Sequence, residues 1–208
     1  MILKYRGKEN YAPKPPVALQ GAGAVLGKPD EMLHVLVDTR EQLPCDFNPL
    51  YVDAKRGTIP VGDYALQNDE MNYSLERKNL SDFIQAVVLS QSLRREKAKI
   101  EKMAARLLPV HYIIEANWMD LQRYDYSVFK SGRVHSQFVC RQWARLSYKN
   151  GVCFDWAGDK EGASYMICLL LKQRLEELRG LTPSPAAVER MTKKEFAEMP
   201  YPFKDIFK

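Results

Sequence analysis

The stretch from 61 to 83, VGDYALQNDEMNYSLERKNLSDF, sets the tightest limit on what this chain can fold into. Gly62-Asp63 reads as a turn in which glycine lets the backbone take a positive φ or approach a neighbour closely. The polar run Gln67-Asn68-Asp69-Glu70 separates two short stretches, so 58–66 and 72–77 read as a pair of strands. Asn79 suits a helix N-cap, and Asp82 lies in the first turn, where a carboxylate complements the helix dipole. A strand running straight into a long helix calls for a sheet with helical crossovers, and such crossovers favour parallel pairing.

The same stretch concentrates chemistry. Glu76 and Lys78 are two apart on the expected strand, so their side chains share a face. A carboxylate and an amine on one face, with a second carboxylate nearby, suit metal-assisted phosphodiester cleavage. Carboxylates hold a hard divalent ion, and a lysine positions or activates water or neutralises developing charge. Each residue has a plainer explanation when taken singly. Asp38 and Asp63 can be turn residues, Glu41 can pair with Arg40, Glu76 and Lys78 can be a solvated strand face, and Asp82 can be only a cap. The combination changes the balance, because Asp38, Asp63 and Glu76 all fall at ends of expected strands, where sites on α/β sheets gather.

Along the rest of the chain, 32–38 (MLHVLVD), 110–115 (VHYIIE) and 152–156 (VCFDW) read as short buried strands. The helix begun at Asn79 is expected to break near Ser90-Gln91-Ser92. It resumes with Arg95, Lys99, Lys102 and Arg106 on one face and Ile100, Met103 and Leu107 on another. Arg94, Arg95, Lys99, Lys102 and Arg106 can follow a phosphate backbone without reading sequence, or form an ordinary solvated face. Helices are also expected over 133–148 and 161–179, the second stopped by Gly180. The order predicts an α/β three-layer domain with a central mixed sheet flanked by helices.

Residues 1–30, rich in proline and glycine, read as an extended arm. Their GAGAVLG lacks the GK[ST] that would make a phosphate loop. Residues 31–180 form the domain, and 181–208 a tail with one possible short helix over 186–199. The four cysteines are scattered singly with no CxxC pair, which argues against a thiolate zinc site and for free thiols in a reducing cytosol. With no leader-like apolar run, a soluble intracellular protein with no membrane association is expected. The net charge of +5 is compatible with nucleic acid as a partner without requiring it.

VDTRE at 37–41, VGDY at 61–64 and LERKNLSDF at 75–83 resemble the ERCC4 (XPF/Mus81-type) nuclease domain family. Its signature is Gly-Asp, a variable gap, then Glu-Arg-Lys-x-x-x-Asp, present here as Gly62-Asp63, Glu76-Arg77-Lys78 and Asp82. The resemblance runs over about 32–180 and implies a restriction-endonuclease-like fold that cuts branched, flapped or forked DNA with Mg²⁺ or Mn²⁺. It implies that Asp38, Asp63 and Glu76 bind metal with the Arg77 backbone carbonyl, and that Lys78 assists the attacking water. Glu41, Arg77 and Asp82 would be auxiliary. The Arg77 side chain points to the opposite strand face from its neighbours, so it serves either an ion pair or a substrate contact. The donor chemistry agrees, since hard oxygen ligands favour Mg²⁺ or Mn²⁺ over zinc.

The chain departs from the family's larger members. The 28 residues after Gly180 are too few for a tandem helix-hairpin-helix module, and no helicase motor is present, so a compact stand-alone nuclease is expected. Met166, Leu169, Leu170 and Gln173 repeat along the last long helix and suit either a homodimer face or core packing. The rival readings are a non-cutting nucleic-acid-binding module of the same fold and a nuclease acting on RNA or on a specific duplex sequence.

Overall fold

The computed structural model describes residues 32–106, 109–129 and 133–180. The expected arm, Leu107 of the apolar helix face, and the tail with its short helix lie outside the described residues.

Among the described residues six short strands carry the fold: β1 (Leu33–Asp38), β2 (Val52–Gly57), β3 (Tyr64–Leu66), β4 (Glu76–Asn79), β5 (Val110–Glu115) and β6 (Val152–Trp156). They form two three-stranded sheets, ordered β2-β1-β3 and β4-β5-β6. β1 pairs in parallel with β2 and antiparallel with β3, and β4, β5 and β6 are all parallel. The expected hairpin between β3 and β4 shrinks to one antiparallel bridge, Tyr64 with Leu75. That bridge joins the two sheets edge to edge. The Asp38 N–H donates to the Asp63 carbonyl at 2.9 Å, and the Asp63 N–H donates to the Leu75 carbonyl at 2.8 Å. Asp63 therefore sits where the two halves of the sheet meet.

The helices are α1 (Leu80–Val88), α2 (Ser90–Ala104), α3 (Trp118–Arg123), α4 (Ser136–Asn150) and α5 (Lys160–Leu178). Asn79 caps α1 through its side-chain oxygen, which accepts the Asp82 N–H at 2.8 Å. The break between α1 and α2 falls at Leu89, whose backbone is extended. Gly151 ends α4 in the left-handed conformation.

Each helix is where it is because of what it buries. Ala163, Ile167, Cys168 and Leu171 of α5 pack on Leu33, Val35 and Val37 of β1 and on Ile113 of β5. On the opposite face, Phe83, Ile84 and Val87 of α1, Ile100 and Met103 of α2, and Val139 and Leu146 of α4 cover Tyr112, Ile114 and Val152. This is the expected α/β architecture, with helices on both sides of mixed sheet. The buried stripe of α5 is not the expected Met166–Leu169–Leu170–Gln173 repeat. Met166 and Leu170 flank the core as partly buried residues.

Strand β2 and helix α3 are absent from the sequence expectation. In β2 only Val52 is buried and the rest is partly or fully exposed, as suits a sheet edge, so neither alternation nor an apolar run marks it. Helix α3 is six residues long with Leu121 as its one buried side chain, too short for a periodic signal.

Candidate active site

Strand register builds the site. Glu76 lies opposite Tyr112, and Lys78 opposite Ile114. Tyr112 and Ile114 belong to the face covered by α1, α2 and α4, so Glu76 and Lys78 point under α2. Gly62 turns the chain before Asp63 with φ +92°. A Cβ there would lie 2.7 Å from Ser74 Oγ and 3.0 Å from the Leu75 carbonyl, so only glycine fits this turn.

Glu76 is 2% exposed. Its Oε1 accepts Lys78 Nζ at 3.0 Å and Lys99 Nζ at 2.6 Å. Its Oε2 is buried and has no hydrogen-bond partner. An unsatisfied buried carboxylate oxygen is costly and demands an explanation. Asp63 is partly buried, and its Oδ2 accepts the Arg77 N–H at 2.9 Å. Burial, then the Glu76 charge, pushes the Asp63 carboxyl up to about 7. Asp63 thus feels the Glu76 charge while Glu76 keeps one buried oxygen without a donor, an arrangement that a divalent cation would complete.

Lys78 is clasped between two acids. Its Nζ lies 3.0 Å from Glu76 Oε1 and 3.3 Å from Glu96 Oε1. Glu96 in turn accepts the Tyr112 hydroxyl at 2.9 Å. Burial alone would disfavour the ammonium, but Glu76 and Glu96 outweigh it and hold the Lys78 pKa above its ordinary value. Lys78 therefore stays protonated and acts as a fixed cation and donor.

Asp38 is 1% exposed, and protein donors hold both its oxygens. Oδ1 accepts the Arg40 N–H at 2.8 Å and Arg40 Nε at 2.6 Å, while Oδ2 accepts the Ile59 N–H at 2.7 Å and Arg40 Nη2 at 3.1 Å. Burial opposes its charge, but these donors prevail and lower its pKa. Arg40 bonds Asp38 and the Ile59 carbonyl, and it also feels the charges of Asp63 and Glu76. Accordingly, among the described residues no three His, Cys, Asp or Glu side chains are grouped as a ready metal cage. Arg40 is 67% exposed and so has room to move.

The auxiliary residues separate. Glu41 does not pair with Arg40. It accepts Arg77 Nη2 at 3.0 Å, and Arg77 Nη1 bonds Glu115, so Arg77 forms a partly buried ion triad on the opposite face from Glu76. Asp82 is exposed and bonds Asn79, its Oδ2 accepting Asn79 Nδ2 at 2.8 Å, in keeping with a helix-start role. The basic face of α2 also divides. Arg94, Arg95 and Lys102 are exposed, Arg106 reaches the Glu70 carbonyl at 3.5 Å, and Lys99 turns in to Glu76. Arg95, Lys99, Lys102 and Arg40 line the mouth of a cleft of about 470 Å³ with Asp63 in its wall.

Sequence reasoning missed Arg40, Glu96 and Tyr112. Tyr112 had a signal, since it lies opposite Glu76 once β4 and β5 pair in parallel. Glu96 has none, because it lies in no motif, and Arg40, although it lies within VDTRE, suggests only a pairing with Glu41.

The buried Asp63 has a consequence for stability. In an unfolded chain a carboxyl releases its proton near pH ~4, whereas in the folded protein Asp63 keeps it to about 7. Between those values the folded state holds more protons, so the contribution of Asp63 to stability falls as pH rises. Without divalent ions, the urea midpoint should be higher at pH 5 than at pH 8. The difference should shrink in Asp63→Asn, and an unchanged difference would count against the raised carboxyl.

Mixed sheets with helices on both faces, and a cleft with Asp63 in its wall, match the restriction-endonuclease-like architecture that the ERCC4 resemblance implies. The ERCC4 domain model matches residues 37–190, and the chain belongs to that family. Similar solved structures include XPF from Aeropyrum pernix, at 21% identity and TM-score 0.49 over 70% of this chain and 69% of that one. Another is XPF from Aeropyrum pernix in complex with DNA, at 23% identity and TM-score 0.52 over 70% of this chain and 66% of that one. No curated protein matches the chain. Among the described residues, no helix is long and apolar enough to cross a membrane.

Proposed function

We propose that this protein is a divalent-metal-dependent DNA endonuclease, using Mg²⁺ or Mn²⁺ and selecting flapped, forked or otherwise branched DNA. The observation that carries the reading is the Asp63–Glu76 pair, with Glu76 Oε2 orphaned and buried, opening on a basic rim. Asp63 and Glu76 would hold the ion, and Asp38 would join them if Arg40 moved aside. When bound, the ion would supply Lewis-acid polarisation of the phosphate and a more acidic water.

The chain's own residues do the rest. Lys78, kept cationic by Glu76 and Glu96, donates toward the attacking water or the phosphate and offsets developing negative charge. Arg95 and Lys102, exposed at the cleft mouth, meet the sugar-phosphate backbone without reading bases. The DNA of the Aeropyrum pernix XPF complex supports a DNA ligand by likeness of fold.

The test uses flap, fork and plain duplex substrates with Mg²⁺ or Mn²⁺. Cleavage of the branched substrates should exceed that of plain duplex, should cease with a chelator, and should be lost in Lys78→Met. DNA binding without turnover under every one of these conditions would reduce the protein to a non-cutting binding module.

A further inference from the structure

Two side chains reach the Glu76 carboxylate from different elements, and they differ in how firmly they are held. Lys78, on the same strand as Glu76, is 12% exposed and clasped by Glu76 and Glu96. Lys99 comes from α2, is 31% exposed, and has Glu76 Oε1 at 2.6 Å as its one ion-pair partner among the described residues. Its neighbours at the cleft mouth, Arg95 and Lys102, are exposed cations. Lys99 thus stands at the boundary between the acidic floor and the basic rim. A long, flexible lysine can serve either.

Resting on the nuclease reading of this cleft, we propose that Lys99 is a resident counter-ion. It neutralises Glu76 while the site holds no divalent cation, is displaced when that cation arrives, and then pairs with a phosphate of the DNA. Glu76 Oε1 is shared by two ammoniums, Lys78 from its own strand and Lys99 from the side of the rim. A divalent ion beside the same carboxylate repels them at close range and in a partly desolvated site. Lys78 cannot yield, because Glu96 and Tyr112 fix it from the other side. Lys99 can, because a rotation of its side chain carries it out toward Arg95 and Lys102. The exchange couples the two ligands: metal frees a phosphate-binding cation, and DNA phosphate draws that cation off the metal site. Binding of each should strengthen the other.

The test is a calorimetric titration of the DNA-free protein with Mn²⁺, which reads binding without turnover. Lys99→Met should bind Mn²⁺ roughly 10-fold more tightly than the unsubstituted protein, because the competing cation is gone. Lys99→Arg should stay near the unsubstituted value, and Lys102→Met should change it by less than about 2-fold, since an exposed rim charge is screened. Fluorescence anisotropy on flap DNA with Ca²⁺ as the divalent ion gives a second reading. The slope of log affinity against log salt should fall by about 1 in Lys99→Met, and with chelator present it should not change. Unchanged or weaker Mn²⁺ binding by Lys99→Met overturns the exchange. If Asp63→Asn binds Mn²⁺ as well as the unsubstituted protein, the metal site itself is misplaced and the exchange falls with it.

Discussion

Asp63→Asn is expected to abolish DNA cleavage, by at least about 10³-fold in kcat/KM, while making the metal-free protein more stable. The two effects have one cause. Asp63 lies in the wall of the cleft, and its raised carboxyl shows that the metal-free fold resists a charge there. Asparagine keeps an oxygen for the Arg77 N–H and removes the charge. A fully buried carboxyl raised from ~4 to about 7 would gain roughly 4 kcal/mol from losing its charge at pH 8. Asp63 is partly exposed, so its gain should be smaller, about 1–3 kcal/mol. The substitution also removes the second carboxylate from the site whose Glu76 Oε2 stands orphaned, and with it the affinity for a divalent ion. Functional sites hold such conflicts, and their removal trades activity for stability. The check is paired: urea unfolding at pH 8 without divalent ions, and single-turnover cleavage with Mn²⁺. A protein that loses stability and keeps its cleavage would mean that Asp63 is only a turn residue.

Much of this site is legible in the sequence because it is local. Glu76 and Lys78 are two residues apart on a strand, and the structure puts Lys78 Nζ 3.0 Å from Glu76 Oε1. Asn79 announces α1, and its cap is formed as expected. What the sequence conceals is long-range. Lys99 lies 23 residues beyond Glu76, and its periodicity with Arg95, Lys102 and Arg106 marks it as one more rim cation. Only the packing of α2 over β4 turns Lys99, and Glu96 one turn before it, onto the acidic floor. Arg40 is opaque for another reason, since Asp38 and Glu41 are both near it in sequence and only the fold chooses between them. It brings Asp38 and the Ile59 carbonyl. Strand β2 stays hidden because an edge strand buries too little to leave a pattern.

Arg77→Met is expected to destabilise the fold by about 2–4 kcal/mol, through the loss of a largely buried cation between two largely buried acids. The motif places Arg77 between Glu76 and Lys78, yet the strand pleat sends it to the other face. There it bonds Glu41 at 3.0 Å, the Leu43 carbonyl at 2.8 Å and Glu115. Glu41 follows β1, Arg77 is on β4, and Glu115 ends β5, so one guanidinium ties both sheets together at the edge nearest the site. Methionine fills similar volume but leaves Glu41 and Glu115 facing each other without a counter-ion. Arg77→Lys should recover only part of the loss, because a single ammonium cannot span three acceptors as a planar fork does. Adding Glu115→Gln to Arg77→Met should restore some stability, so that the two changes together cost less than their sum. Urea unfolding of the single and double variants measures this coupling. If instead Arg77 contacts substrate, Arg77→Met would raise KM for DNA with an unchanged unfolding midpoint, and the structural assignment of the central motif residue would fail.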